Sequence, residues 1–264
     1  MRDKQLPLSK KRRQLLENQQ NARKQLMVGR VLIVCEGEKT EPSYFRWWQE
    51  QLKKIRSIAI KKSDIKSKGD IEVNSFGDEI RVEGEGKNTK SLVEEAINLK
   101  NKAKTDAKIE YEQVWCVFDR DSFPPNDYND AIALAHTNNF KVAYSNEAFE
   151  LWYLLYFNYV NNGVKRKKYK EMLTKCLDEK YEKNDPKMYE KLNKHPKADQ
   201  KQAIDNAKKL LKQYNGQENY ADHNPSTTIF KLVESLNEHV CKFRCQFAPT
   251  HPLPYSCECI EKSM

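Results

Sequence analysis

The chain has 264 residues, of which 38% are hydrophobic and 32% charged, and carries a formal net charge of +9. That length suits one large α/β domain with a helical extension. The longest apolar runs, Val31 to Cys35 and Leu151 to Phe157, fall far short of the roughly 18 residues of a membrane span, which excludes a helical membrane protein.

Charge is spread unevenly. Residues 1–30 hold nine Lys/Arg against two Asp/Glu, and residues 161–219 hold sixteen against nine, so two basic zones flank an acidic middle. Such a surface suits a polyanion such as DNA or RNA; the competing reading is a solvated lysine-rich face. No apolar signal core follows the basic N-terminus, so a cytoplasmic location and no membrane partner are expected. Seven cysteines, an odd number, then read as reduced thiols rather than a disulfide framework.

In chain order, residues 1–29 form a basic N-terminal arm. Val31 to Cys35 is a β-branched run, hence a strand, and Gly37, Thr40 and Pro42 supply helix-opening chemistry before "SYFRWWQEQLKK". Residues 55–87 are ambiguous, with strand-like "DIEVNSF" and "DEIRVEGEG". "NTKSLVEEAINLKNKAK" puts Leu92, Ala96, Leu99 and Ala103 on one helical face. Val114 to Phe118 has the continuous apolarity of a parallel strand buried on both faces. A helix over "NDYNDAIALAHTN", a strand over "FKVAYS" and a helix over "EAFELWYLLYF" follow. This alternation predicts an α/β core over residues 30–160, a mostly parallel sheet flanked by helices. Residues 161–240 read as a lysine-rich helical extension packing on that core, and 241–264 as a Cys-rich tail.

Three carboxylates stand at strand ends. Glu36 follows the first strand, and Asp119 and Asp121 end "VWCVFDRD". In an open parallel sheet functional groups gather beyond the carboxyl ends of the strands. Alternate residues of an extended segment point the same way, so the D-x-D spacing aims two carboxylates at one place. A hard cation such as Mg2+ or Mn2+ takes carboxylates, water and phosphate oxygens. Each feature alone also reads as a helix cap or a solvated turn. Glu147 and Glu150 open the helix after the fourth strand; either is a candidate for a second metal site, Glu150 before Glu147, or is helix-dipole charge. Lys39 is a candidate to neutralise a scissile phosphate. Lys165, Arg166, Lys167 and Lys168 are candidates for the nucleic-acid backbone. Asn224, Ser226 and Thr227 either cap the last helix, with Pro225 in its first turn, or hold a phosphate there. Cys241, Cys245, Cys257 and Cys259, with His251 nearby, form a candidate structural Zn2+ set of unusual spacing, or a tail of exposed thiols.

"IVCEGEKTEPSYF", "VFDRD", "VAYSNEAFELWYLLYF" and "NPSTTIFKLVESL" together resemble the Toprim-type domain of the RloB-like (AbiLii-like) family, bacterial proteins associated with phage defence and restriction islands. The resemblance spans roughly residues 30–238. It implies a Toprim-like α/β core in which Glu36 is the general acid or base and Asp119 and Asp121 hold Mg2+. Tyr156 stands where the family pattern leads one to expect a histidine. The function implied is Mg2+-dependent nuclease activity on DNA or RNA in antiphage defence. The alternative is a non-catalytic effector working with an AAA-type ATPase, since this chain lacks a G-x-x-x-x-G-K-[ST] loop of its own. A homo-oligomer is a further expectation. A primase or topoisomerase is disfavoured, because no room remains for the extra domains they use.

Overall fold

A computed structural model describes residues 29–62, 80–86, 88–120 and 124–257. Four parallel strands, β1 (Val31–Cys35), β2 (Ile80–Gly84), β3 (Gln113–Asp119) and β4 (Lys141–Asn146), are joined by a two-residue antiparallel strand, β5 (Ser226–Thr227). Their order across the sheet is β2-β1-β3-β4-β5. The protein is therefore an α/β fold with a mostly parallel five-stranded sheet flanked by helices.

Every residue of β1 is buried, because both faces of the sheet are covered. Leu32 and Val34 pack with Leu92, Val93 and Ala96 of α2 (Thr89–Ala107) and with Tyr128, Ala131 and Ile132 of α3 (Pro125–Thr137). Val31, Ile33 and Cys35 pack on the other face with Tyr44, Phe45 and Trp48 of α1 (Thr40–Lys62). The apolar run is thus a period-2 pattern with both phases occupied. Asn88 caps α2 by accepting the Ser91 N–H at 3.1 Å.

The sequence left the stretch after residue 54 open; α1 continues through it to Lys62. "DIEVNSF" lies outside the described residues, as do most of the basic arm and Asp121. Beyond β4 come α4 (Glu150–Leu155), α5 (Arg166–Cys176), α6 (Met188–Lys194), α7 (Gln200–Lys212) and α8 (Ile229–Phe247). The short α6 lies within the predicted helical extension, and Met188, Tyr189 and Leu192 are its buried residues. The "NPST" stretch departs further from expectation. Ser226 and Thr227 are strand residues paired with Asn146 and Ser145, and α8 starts at Ile229, whose N–H donates to Thr227 Oγ1 at 3.3 Å, so Thr227 serves the strand and the helix start together. Pairing wins here because Ser145 and Thr227 join their hydroxyls at 2.9 Å in a fully buried setting, where an unpaired hydroxyl is costly.

Candidate active site

The strand order reverses between β1 and β3: β1 leads through α1 to β2 on one side, and β3 lies on the other. Loops diverge at such a point and leave a crevice at the carboxyl ends of the strands. Register brings Cys35 opposite Val117, so the residue after β1 falls beside the end of β3. There the Glu36 N–H donates to the Val117 carbonyl at 2.9 Å, and Glu36 Oε2 accepts the Asp119 N–H at 3.0 Å.

Asp119, the last residue of β3, is buried. Its Oδ2 receives Arg166 Nη2 from the start of α5 at 3.2 Å. Arg166 is placed by its own backbone N–H, which donates to Glu147 Oε2 at 3.0 Å. Glu150, at the start of α4, is 1% exposed and accepts from Tyr181 Oη at 3.4 Å.

A fourth carboxylate completes the group. Glu41 stands in the first turn of α1 and is 6% exposed, and its Oε2 is buried with no hydrogen-bond partner. Side chains of a first helical turn lean back toward the helix N-terminus. Glu41 accordingly folds over Gly37, into the space a Cβ at residue 37 would fill. Gly84 is needed for a similar reason: a Cβ there would stand 2.7 Å from the Gly37 carbonyl oxygen. Thr40 fixes the same loop by donating to the Lys183 carbonyl at 2.9 Å.

The electrostatics follow from this crowding. Burial pushes the Asp119 carboxyl well above the usual range; the charges of Glu41, Glu150 and Glu36 add to the rise, and Arg166 opposes it. Burial likewise raises Glu41; its own backbone N–H and Lys183 oppose the rise, and Glu150 reinforces it. Negative charge in excess of nearby cations, with one orphaned oxygen, fits a hard divalent cation by charge and donor type. The carboxylates do not form a closed cage. Among the described residues, the group of three Cys, His, Asp or Glu ligand atoms within 4.8 Å of one another is Cys241, Cys245 and Cys257.

The family model described as RloB-like protein matches residues 31–236, well over half of the chain. The chain belongs to the RloB-like family. No curated protein and no solved structure matches it. In this RloB-like protein the family match covers every carboxylate of the cluster and stops before the cysteines of the tail.

Of the residues singled out from the sequence, Glu36, Asp119 and Glu150 come together, joined by Arg166 from the basic set. Glu36 meets Asp119 by accepting the Asp119 backbone N–H with its carboxylate. Lys39 is exposed on the loop between β1 and α1, and Lys165, Lys167 and Lys168 are exposed beside Arg166. Asn224 is exposed and lies against residue 163, where a Cβ on Gly163 would stand 2.6 Å from its Oδ1. Ser226 is fully buried and donates to the His223 carbonyl at 2.6 Å. Tyr156, in place of the expected histidine, bonds its hydroxyl to Tyr44 Oη at 2.7 Å inside the core. Glu41 was missed, because an acidic residue in a first helical turn reads as ordinary dipole charge. The signal available was its place four residues after Gly37, which points a long side chain back at the strand end.

In the tail, Cys241 and Cys257 form a disulfide, contrary to the expectation of reduced thiols throughout; Cys35, Cys116, Cys176 and Cys245 stand outside it. The cause is proximity: the tail folds back along α8 and brings the two α-carbons within 5.8 Å. Cys259 lies outside the described residues.

Proposed function

We propose that this RloB-like protein is a metal-dependent nuclease that hydrolyses phosphodiester bonds of DNA or RNA from a Toprim-type site, in bacterial antiphage defence. The observation that carries the reading is the buried, unpartnered Glu41 Oε2 beside Asp119 and Glu150 at the sheet's switch point. Uncompensated buried carboxylates cost stability, and their accumulation at a strand-end crevice is a mark of function.

Asp119, Glu41 and Glu150 are the residues to hold Mg2+ or Mn2+, with Asp121 two positions on as a further donor. The ion, when bound, supplies charge neutralisation at the scissile phosphate. Glu36 is only half-buried; its role is to take a proton from the attacking water or return one to the leaving oxygen. The exposed ammonium of Lys39 draws the phosphate toward the site. Lys165, Lys167 and Lys168 hold the flanking backbone by charge, giving affinity that falls with salt.

The Arg166–Asp119 ion pair favours a second reading. With a guanidinium on its central carboxylate the site is closed, so the chain acts as an effector whose opening depends on a partner such as an AAA-type ATPase. One experiment separates the two: plasmid, single-stranded DNA and tRNA are incubated with the purified chain in Mg2+, Mn2+ or chelator. Cleavage that needs the metal and vanishes in Glu36→Ala and Asp119→Ala supports the nuclease. Binding without turnover, in wild type and variants alike, supports the effector.

A further inference from the structure

The tail brings three sulfur atoms together where a disulfide needs only two. Cys241 and Cys245 are one turn apart on α8, on the same helical face. Cys257 arrives from the returning tail and places its Sγ 3.4 Å from that of Cys245, and all three sulfurs lie within 4.8 Å of one another. Thiolates on a tetrahedral ion with bonds of about 2.3 Å sit about 3.8 Å apart; Cys245 already stands close to that distance from Cys257, and opening the Cys241–Cys257 bond frees the third sulfur within the same cluster.

The surroundings are those of an anionic centre. The Arg244 side chain is buried; its Nη1 lies 4.0 Å from Cys245 Sγ, and its Nε donates to the His251 carbonyl at 2.6 Å. Lys54 adds a second positive charge around His251. A guanidinium directed at the Cys245 sulfur favours its thiolate over its thiol. The tail itself is seated on α1: His251 Nε2 lies 3.4 Å from Gln51 Oε1, and the Tyr255 ring is 6.1 Å from that of Trp47.

We propose that, in the reduced chain, Cys241, Cys245 and Cys257 are thiolate ligands of a structural Zn2+ that pins the tail to α8 and α1, with a water or one further donor completing the tetrahedron. A dithiol reductant supplies two electrons to the Cys241–Cys257 bond, giving two thiols. The three thiols then lose three protons to the solvent as the ion binds. Zinc and the disulfide are alternative closures of one cluster, and Cys245 belongs only to the first. The site is independent of the carboxylate cluster and outside the family match.

The test uses the full chain, reduced with a dithiol, loaded with Zn2+ and dialysed against metal-free buffer. About one zinc per chain is expected, falling to about a tenth or less in Cys245→Ser. Because that variant can also misfold, Co2+ is titrated into reduced wild-type protein. A thiolate-to-cobalt charge-transfer band, with the visible bands of tetrahedral coordination, is expected and disappears on adding Zn2+. No retained zinc in the reduced wild type, no such cobalt bands, or full zinc content in Cys245→Ser each overturns the site.

Discussion

Arg166 Nη2 lies 3.2 Å from Asp119 Oδ2, and this is the one direct ion pair between a cation and the carboxylate cluster among the described residues. The pair is mostly buried on both sides, so removing the cation strands Asp119 near Glu41 and Glu150. Arg166→Ala should therefore cost about 1–3 kcal/mol in chelator. Mg2+ or Mn2+ should return more of that loss than either ion adds to wild type, because the ion takes over the charge balance. Thermal melting with and without each ion checks this. Equal ion-induced shifts in both proteins would remove the case for a cation site at Asp119.

Glu41 gives a sharper test, since its orphaned Oε2 is tied to a glycine. Glu41→Gln keeps the shape and removes the buried charge, so in chelator at neutral pH it should stabilise the protein by about 1 kcal/mol while weakening the response to divalent ions. The pH dependence has a definite sign. Glu41 and Asp119 are raised in the folded state, so the stability they contribute is fully present below the usual carboxylate range. It is lost as pH rises through their folded values. Without metal, wild type should lose stability on that rise more steeply than Glu41→Gln. Gly37→Ala, which drives a Cβ into the Glu41 carboxylate, should also abolish the divalent response. A Glu41→Gln protein with unchanged ion response and pH slope would place Glu41 outside the site.

β1, β3 and β4 were legible in the sequence because each announces itself by apolarity and is followed by a helical pattern, whereas β2, with Arg81 and Glu83 alternating with Ile80 and Val82, lay in a stretch the sequence left ambiguous. The ends of elements were less so. Ser226 and Thr227 carry cap chemistry, and only the distant β4 edge, unknowable from local residues, turns them into a strand. At the site, Glu36 and Asp119 were visible because an acid directly after a buried strand is a local signal. Glu41 was not, since its burial comes from the loop fold over Gly37 and from the approach of Lys183 and Asn184, in the stretch between α5 and α6 far along the chain.

The core behind the site contains a chain of hydroxyls that permits its own test. Trp152 Nε1 donates to Tyr44 Oη at 2.8 Å, and Tyr44 Oη and Tyr156 Oη lie 2.7 Å apart, all of them buried. Tyr44→Phe leaves the indole N–H without its partner and should cost about 1–3 kcal/mol. Tyr156→Phe leaves the Trp152 bond intact and should cost about 1 kcal/mol. Denaturant unfolding of the two variants gives the order. Tyr156→Phe as the more damaging change would show that the network is centred on Tyr156.

His239 should govern part of the acid response. Burial, helped by the Lys242 charge and opposed by Glu238, lowers its pKa from the usual 6.5 to about 4, and its Nε2 is buried with no hydrogen-bond partner. A depressed histidine contributes stability that is fully present above its unfolded value and is lost as pH falls from about 6.5 toward about 4. The full loss is about 3 kcal/mol. Over the same range the raised carboxyls of Glu41 and Asp119 act in the opposite direction. The histidine's share is therefore read as the difference between wild type and His239→Gln. That difference should be largest near neutral pH and shrink on acidification through the stated window, followed by melting temperature at each pH. A difference that stays constant with pH would mean that the imidazole is solvated enough to take a proton in the folded state.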